Sequence, residues 1–217
     1  ARAKQKVPHE VLLERMLHLP PVRNFREALT RTGRQTVIPE YKRKVPGARN
    51  WKPKSSLDKT IAAYEAAGAR AISIVTDEKH FGGKLNMIEA VKPKITAPVL
   101  RKDFVIDPYQ VYQSRAARAD ALLIIAALLP DKRLPALIAL TNSLGMTPVV
   151  EVHAAPELKR CLRAGADVIL INNRDLATLK VNMQTVTRLA KLVPRDVMVI
   201  AASGYKKPEH LEGQVAD

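Results

Sequence analysis

Four charged side chains of this sequence follow short apolar runs typical of β-strands, and their types suit acid–base chemistry. Glu40 and Lys42 end the run VIPEYK, Lys102 ends the run VLRK, and Glu151 lies in VVEVH. Two carboxylates and two ammonium groups converging from different strands would supply a general acid, a general base and an anion clamp. The alternative is a structural ion-pair network at the rim of a sheet, which suits one lone pair better than four groups on separate strands.

The elements that must position these groups alternate between strand and helix. We expect seven strands, at residues 36–41, 71–75, 98–101, 121–125, 148–152, 168–171 and 197–201. Helices are expected between them, at residues 56–67, 84–91, 108–116, 131–144, 155–164 and 182–192. The helix boundaries carry suitable residues, with Ser56 and Asp131 as candidate N-caps, Pro108 near a first turn, and Gly68, Gly145 and Gly165 just past helix ends. Residues 9–31 hold amphipathic segments that predict one or two further helices.

The strands are nearly continuous apolar runs, as parallel strands buried on both faces are. The segments AAGARAISIV, AARADALLII and RAGADVILIN resemble one another, which indicates stacked βα units. An open doubly wound sheet and a closed barrel both fit this pattern, but no G-x-G-x-x-G follows the first strand. We therefore predict an α/β fold of the (β/α)8 TIM barrel class, as one domain over residues 1–217. Residues 1–34 would form a helical extension that plugs the barrel bottom or borders its mouth, and the eighth βα unit is not found in this sequence.

Composition excludes several classes of protein. The chain has 217 residues, of which 47% are hydrophobic and 26% are charged, so a disordered or fibrous chain is excluded. Its single cysteine, Cys161, cannot form an intrachain disulfide, and a reducing cytosol, with cytoplasmic localisation, fits best. No run approaches the roughly 18 apolar residues that span a bilayer, and no apolar segment follows the basic amino terminus, so we expect neither secretion nor a membrane partner.

The charge of the chain raises a second functional class. Lysine and arginine outnumber acidic residues by 36 to 21, which gives a formal charge of +15. A nucleic-acid partner is nevertheless not expected, because the basic residues are spread over the chain, aromatics are only 4%, and no nucleic-acid module is recognisable. An anionic small molecule is the favoured partner. The five histidines lack metal-ligand spacing with acidic residues and are expected to be surface or loop residues, namely His9, His18, His80, His153 and His210.

Five segments, in this order and spacing, carry a resemblance to a known family. They are EYKRK, PVLRKDF, DPYQVYQSRA, LGMTPVVEVH and LINNRDLATLKVN, and together with flanking residues they resemble indole-3-glycerol phosphate synthase from about residue 9 to Gly204. The resemblance implies a (β/α)8 lyase of tryptophan biosynthesis that uses neither an organic cofactor nor a metal. Its substrate would be 1-(2-carboxyphenylamino)-1-deoxyribulose 5-phosphate, which is cyclised, decarboxylated and dehydrated to indole-3-glycerol phosphate.

The resemblance also implies residue roles. Lys102 would be the general acid that protonates the ribulose carbonyl, and Glu151 would take the proton whose removal restores aromaticity of the ring. Lys42 would pair with substrate anions and help the hydroxyl leave, while Glu40 would orient the lysines and hydrogen-bond the substrate. Substrate-binding roles would fall to Asn172, Arg174, Leu176, Ser203 and Gly204, and to Phe81 and Phe104 as apolar walls around the anthranilate ring, unless these two phenylalanines are ordinary core residues.

The sequence departs from the family pattern at the expected site. Ala202 stands where the family has the glutamate of A-E-S-G, and Val45 replaces a serine of the first loop. Only Ser203 and Gly204 remain of a phosphate site that an eighth strand would complete. An open seven-stranded barrel needs a cover, which an additional tail, the amino-terminal segment or another chain would supply, unless the chain is an altered variant. Two functions therefore stay open first, an active lyase and a barrel that binds phosphorylated ligands without efficient turnover. A third, less favoured and based only on the charge of +15, is a basic nucleic-acid-associated protein. The oligomeric state is not predicted.

Overall fold

The structure is a computed structural model that describes residues 7–30, 36–48 and 51–205. Its contacts divide the chain into two compact units. The first unit comprises Ala1–Leu123 and Leu140–Thr147, and the second comprises Ile124–Ala139 and Pro148–Asp217. The single-domain organisation and the 1–34 extension stay predictions. The prediction about an eighth βα unit falls after residue 205 and lies outside the described residues.

Strands and helices alternate along the described chain. The strands are β1 (Glu40–Tyr41), β2 (Ile72–Val75), β3 (Val99–Lys102), β4 (Ala121–Ile125), β5 (Thr147–Val152), β6 (Val168–Asn172) and β7 (Met198–Ala202). The α-helices are α1 (His9–Leu17), α2 (Phe25–Thr30), α3 (Leu57–Ala66), α4 (Asn86–Val91), α5 (Pro108–Ala116), α6 (Arg133–Ser143), α7 (Ala155–Arg163) and α8 (Gln184–Ala190). Single 3-10 turns follow α4 at Lys92–Lys94 and β4 at Ala126–Leu128.

Neighbouring strands pair in parallel, as predicted. In the first unit β1, β2, β3 and β4 pair in chain order, and in the second unit β5, β6 and β7 do the same. Every residue of β2, β4 and β6 is buried, which confirms that these apolar runs are covered on both faces. Strand β7 instead alternates between partly buried and exposed residues.

The first strand is shorter than expected. The sequence predicts residues 36–41, whereas the ladder holds only Glu40 and Tyr41. Pro39 has no N–H to donate to a neighbouring strand, so it ends the ladder on that side. Its carbonyl still accepts a hydrogen bond from Ser73 N at 2.9 Å, which keeps the preceding chain alongside β2.

Helix boundaries match the sequence with two corrections. Ser56 caps α3 as expected, with its side chain accepting from Lys59 N, and the glycines after α3, α6 and α7 have positive φ. Asp131 is not at the start of α6, which begins at Arg133; its carboxylate instead accepts from Arg160 Nη1 at 2.9 Å. The sequence analysis missed Asp107, which forms a capping box with Gln110 at the start of α5.

The amino-terminal segment forms two helices, in line with the expectation of one or two. Leu12 of α1 packs against Tyr109 and Ala116 of α5, and the Tyr109 hydroxyl donates to Val7 O at 2.6 Å. Further along, Arg23 donates from Nη1 to Ala97 O at 3.0 Å. Since Ala97 precedes β3, the segment is anchored at the amino-terminal ends of the strands, away from Lys102.

A buried ion pair reinforces this anchor. Lys92 and Asp120 are almost fully buried and pair with each other. The Asp120 carboxylate also accepts from Arg23 N at 2.8 Å and from Val99 N at 2.7 Å. Burial lowers the pKa of Lys92 to about 8, although the Asp120 carboxylate acts in the opposite direction. Asp120 therefore ties the amino-terminal segment to the start of β3 through main-chain donors.

None of the helices in the described part of the chain is long and apolar enough to cross a membrane.

Candidate active site

In the first unit, one carboxylate joins both of the lysines expected from the sequence. Glu40 Oε1 lies 2.8 Å from Lys42 Nζ, and Glu40 Oε2 lies 2.8 Å from Lys102 Nζ. Glu40 and Lys102 belong to β1 and β3, which pair on either side of β2. The three side chains are 24% to 34% exposed, so a ligand can reach them. Of the four charged groups predicted to converge, Glu40, Lys42 and Lys102 therefore meet within the first unit.

The electrostatics keep this cluster charged. Burial pushes the pKa of Glu40 upward, but the ammonium groups of Lys102 and Lys42 outweigh burial and leave that pKa below its ordinary value. Each lysine in turn has an ionised carboxylate in hydrogen-bond contact. A protonated lysine is therefore available to donate a proton or to bind an anion.

The strand end that carries Lys102 is held by its sequence neighbours. Side chains alternate along a strand, so Arg101 points away from Lys102. Arg101 is buried, and it donates to Ser114 Oγ at 2.9 Å and to Asp103 Oδ2 at 2.8 Å. Thr76 donates to the same Asp103 oxygen at 2.6 Å. The sequence analysis missed Arg101 and Asp103, although a charged residue within an apolar strand was a usable signal.

Phe81 and Phe104 lie together in the first unit, with ring centroids 6.4 Å apart. Phe104 is 37% exposed and Phe81 is half-buried, so neither is a fully buried core residue. His80 stands edge-on to Phe104 at 6.1 Å. An aromatic surface of this kind suits contact with a planar ring of a ligand.

The second unit brings together Glu151 and Asn172. Glu151 of β5 pairs opposite Leu170 of β6, and Asn172 lies two residues further along the same face. Asn172 Nδ2 donates to Glu151 Oε1 at 2.9 Å, and Asn172 Oδ1 accepts from Arg174 N at 3.0 Å. Glu151 is only 2% exposed, so its carboxylate depends on these nearby donors.

His153 lies in the loop between β5 and α7, as expected, but it is half-buried and not at the surface. Its side chain is 10% exposed, and its ring lies between two carboxylates. Nε2 is 3.1 Å from Glu151 Oε1, and Nδ1 is 3.5 Å from Glu157 Oε2. The sequence signal was a glutamate four residues after the histidine, near the start of a helix. Of the other histidines, His210 lies outside the described residues.

The remaining expected ligand residues of the second unit lie in loops. Arg174 donates from Nη1 to Leu179 O at 2.8 Å, and Leu176 is half-buried in the turn between them. Ser203 and Gly204 follow β7 with φ values of +66° and +91°. Asn173, which the sequence analysis missed, donates from Nδ2 to Ser203 O at 3.1 Å and fixes this turn.

The departures from the family pattern are visible in the structure. Ala202 ends β7 and is half-buried, and its carbonyl accepts from Asn173 N at 2.9 Å. Val45 is half-buried in the loop after β1. Trp51 is 38% exposed. Across residues 7–30, 36–48 and 51–205, no group of three His, Cys, Asp or Glu side chains is placed to hold a metal ion.

Comparisons with known proteins agree with this geometry. The family model described as indole-3-glycerol phosphate synthase matches residues 1–216. The indole-3-glycerol phosphate synthase of Saccharopolyspora erythraea is 42% identical over 205 residues, which cover 94% of this chain and 76% of that protein. The indole-3-glycerol phosphate synthase of Desulforamulus reducens is 40% identical over 200 residues, which cover 92% of this chain and 76% of that protein. The indole-3-glycerol phosphate synthase of Mycobacterium avium is 45% identical over 187 residues, which cover 86% of this chain and 68% of that protein.

A solved structure described as "Native KDPGal structure" shares the fold, with a TM-score of 0.53 and 20% identity over 80% of this chain and 74% of that one. The predicted TIM barrel class is confirmed by the family and by this likeness. The matched residues, the identities and the predicted side chains at the strand ends lead to one assignment. The chain belongs to the indole-3-glycerol phosphate synthase family.

Proposed function

We propose that this chain catalyses the formation of indole-3-glycerol phosphate in tryptophan biosynthesis. The reaction is that of a decarboxylating carbon–carbon lyase acting on 1-(2-carboxyphenylamino)-1-deoxyribulose 5-phosphate. The observation that carries the proposal is the Glu40 carboxylate, which holds Lys42 and Lys102 at 2.8 Å each in a member of this family.

Lys102 acts as the general acid of the ring closure. As the aromatic carbon attacks the ribulose carbonyl, a carbon–carbon bond forms and the carbonyl electron pair moves to oxygen. The Lys102 ammonium supplies the proton that this oxygen takes. Its contact with Glu40 at 2.8 Å supports the role, because the carboxylate holds the ammonium group in one orientation at the strand end.

Lys42 and Glu151 serve the later steps. In the decarboxylation, the bond between the carboxylate carbon and the ring carbon breaks. Its electron pair stays in the ring, and carbon dioxide is released. Lys42 then helps the hydroxyl depart as water, and Glu151 accepts the proton whose removal restores aromaticity. Burial of Glu151 next to the Asn172 amide supports a base that is held in one orientation.

Substrate binding is assigned to seven further residues. Phe81 and Phe104 face the anthranilate ring, and Ser203 with Gly204 contributes to the phosphate site. Asn172, Arg174 and Leu176 contact the remainder of the substrate. The chemistry requires no organic cofactor, no metal, no nucleic acid and no membrane, and the single cysteine favours a reducing, cytosolic setting.

A fluorescence assay for indole-3-glycerol phosphate tests the proposal. Wild-type protein should turn over, and Lys102→Ala should lower kcat by about a hundred- to ten-thousandfold, the usual loss for a general acid. Lys94→Ala is the matched control, since Lys94 forms an exposed ion pair with Asp58 at 2.9 Å in the same unit. Equal losses in both variants, or a wild-type protein without turnover, would refute the proposed reaction.

A second candidate function rests on Ala202. A chain without the glutamate of A-E-S-G could bind the phosphorylated substrate without efficient turnover. Binding of substrate by an inactive wild-type protein, followed by turnover in Ala202→Glu, would favour this candidate over the lyase.

A further inference from the structure

His153 occupies a place that neither the expected roles nor the sequence pattern assigns. It is the last residue of the VEVH segment, and its ring stands between Glu151 of β5 and Glu157 of α7, at 3.1 Å and 3.5 Å. Neither ring nitrogen makes a hydrogen bond of regular geometry with any described residue, so both contacts are those of close ion pairs. The carboxylates of Glu151 and Glu157 are therefore the groups that determine the protonation state of the His153 ring.

The two nearby carboxylates favour a charged ring. A neutral imidazole would leave the lone pair of one nitrogen beside a carboxylate, whereas an imidazolium has a proton on each nitrogen and a charge opposite to both carboxylates. Burial lowers the pKa of His153, but the contacts with Glu151 and Glu157 outweigh burial and raise it to about 9. Asp175, in the loop after β6, also interacts electrostatically with the ring. The charged groups that face His153 are thus Glu151, Glu157 and Asp175.

The Asn172 amide and the His153 ring approach the same oxygen of Glu151. Asn172 Nδ2 lies 2.9 Å from Oε1, and His153 Nε2 lies 3.1 Å from Oε1. Within the described part of the second unit, Oε2 makes no hydrogen bond and no ion pair. We propose that His153, held by Glu157, is a positioning residue: it fixes Oε1 of Glu151 together with Asn172 and leaves Oε2 as the oxygen that accepts the substrate proton.

This inference rests on the proposed function and specifies its base. In the last step the substrate C–H bond breaks, its electron pair enters the ring, and the proton forms an O–H bond with Oε2. The carboxylate becomes a carboxylic acid, the carbon–oxygen bond of the hydroxyl breaks, and this hydroxyl takes a proton from the Lys42 ammonium group and leaves as water. The contacts at Oε1 restrict rotation of the carboxylate and hold Oε2 in one orientation.

Glu157 has a second task that the test must separate from the first. It is the third residue of α7, and its Oε2 accepts from His153 N at 2.7 Å, so it also caps the helix. Capping and the ion pair with His153 both lower the pKa of Glu157, with the His153 side chain as the larger cause. Glu157→Gln keeps an oxygen for the main-chain bond and removes the charge.

The experiment measures kcat and KM against pH for wild type, His153→Gln and Glu157→Gln, with His18→Gln as an exposed histidine control. His153→Gln should lower kcat by about ten- to a hundredfold with little change in KM, as a charge-assisted contact to the base is lost. Its activity should no longer fall as pH rises through about 9, because the titrating ring is absent. Glu157→Gln should move the loss of activity above pH 8 to lower pH.

Proton-detected titration of the histidine rings supplies a readout that does not depend on turnover. The His153 signal should titrate near pH 9 in wild type and at lower pH in Glu157→Gln. A folded His153→Gln variant whose pH profile matches wild type, or a ring that titrates near its ordinary pH, overturns the positioning role. An inactive wild type with a ring titrating near pH 9 overturns the proposed reaction and leaves an ion pair of structural importance only.

Discussion

Glu40 and Lys102 are 62 residues apart in sequence, and their side chains meet at 2.8 Å. The contact exists because β1 and β3 both pair with β2, which brings the ends of two distant apolar runs to one edge. The other oxygen of the Glu40 carboxylate accepts a hydrogen bond from Lys42 Nζ. One carboxylate therefore orients two ammonium groups, and its removal should disturb both of their roles.

Replacement of Glu40 by glutamine tests this arrangement. The amide keeps the shape but can accept only at one oxygen, and it no longer opposes the charge of two lysines. We expect kcat to fall roughly ten- to a hundredfold, the effect of losing about 1.5 to 3 kcal/mol of charge-assisted contact. Asp58→Asn is the control, since Asp58 pairs with Lys94 at 2.9 Å on the surface. A similar fall in the control would show that the loss is not specific to Glu40.

The charged residues at the strand ends were predictable from the sequence. Buried parallel strands consist almost entirely of apolar residues, so a charged residue at the end of such a run is easily recognised. This rule found Glu40, Lys102 and Glu151, and it would have found Arg101 had it been applied within the strand. The length of β1 was not predictable in this way, because the ladder ends at Pro39 for lack of an N–H.

His153 was not recognised for a different physical reason. Its partners lie two residues before it and four residues after it, on a strand and on a helix. Periodicity within one element therefore cannot reveal the contact, which depends on how the chain turns from β5 into α7. Asp107 was not predicted as a cap, although an aspartate immediately before a first-turn proline is a usual N-cap.

Removal of Lys92 should destabilise the first unit. Lys92→Met leaves the buried Asp120 carboxylate without its cation, although main-chain donors from Arg23 and Val99 remain. We expect a loss of about 3 kcal/mol in the free energy of unfolding, measured by urea titration. Lys94→Met, which removes a lysine from an exposed pair, should change it by less than about 1 kcal/mol. Comparable losses would contradict the importance assigned to burial.

His153 should make stability depend on pH. Its pKa is raised from 6.5 to about 9 in the folded state, so the folded protein binds more protons between these values. The stabilisation is fully present below pH 6.5 and is lost as pH rises through 9. Its upper limit is about 3 kcal/mol, from 1.36 kcal/mol for each pKa unit.

The measurement is the difference in unfolding free energy between wild type and His153→Gln from pH 6 to pH 10. The difference is required because Lys92, with a pKa lowered to about 8, contributes in the opposite direction over part of this range. Both proteins contain Lys92, so its contribution cancels. A difference that stays constant with pH would show that the ring is not held in the charged state.

Gly83 should not tolerate a side chain. A Cβ at this position would lie 2.2 Å from Val75 O and 2.8 Å from the Thr76 main chain, so the backbone would have to move. Gly83→Ala should cost about 2 kcal/mol and should raise KM, because the same loop carries Phe81. Gly165→Ala is the control, since a Cβ there meets nothing within 4 Å and adds only the strain of a φ of +80°, about 1 kcal/mol. An unchanged KM in Gly83→Ala would remove Phe81 from the ligand contacts.

Ala202 gives the sharpest test of the departure from the family pattern. It ends β7 and is half-buried, and its main-chain carbonyl is already bonded to Asn173, so a longer side chain leaves the backbone contact intact. Ala202→Glu restores the carboxylate of A-E-S-G, and we expect kcat/KM to rise about tenfold, equal to one charge-assisted contact of roughly 1.4 kcal/mol. Ala201→Glu is the matched control, because neighbouring side chains of a strand point to opposite faces. A rise in kcat/KM in Ala202→Glu alone assigns the effect to the position of the carboxylate. An equal rise in both variants assigns it to the reduction of net positive charge. No rise in either variant means that catalysis by this chain does not depend on a carboxylate at position 202.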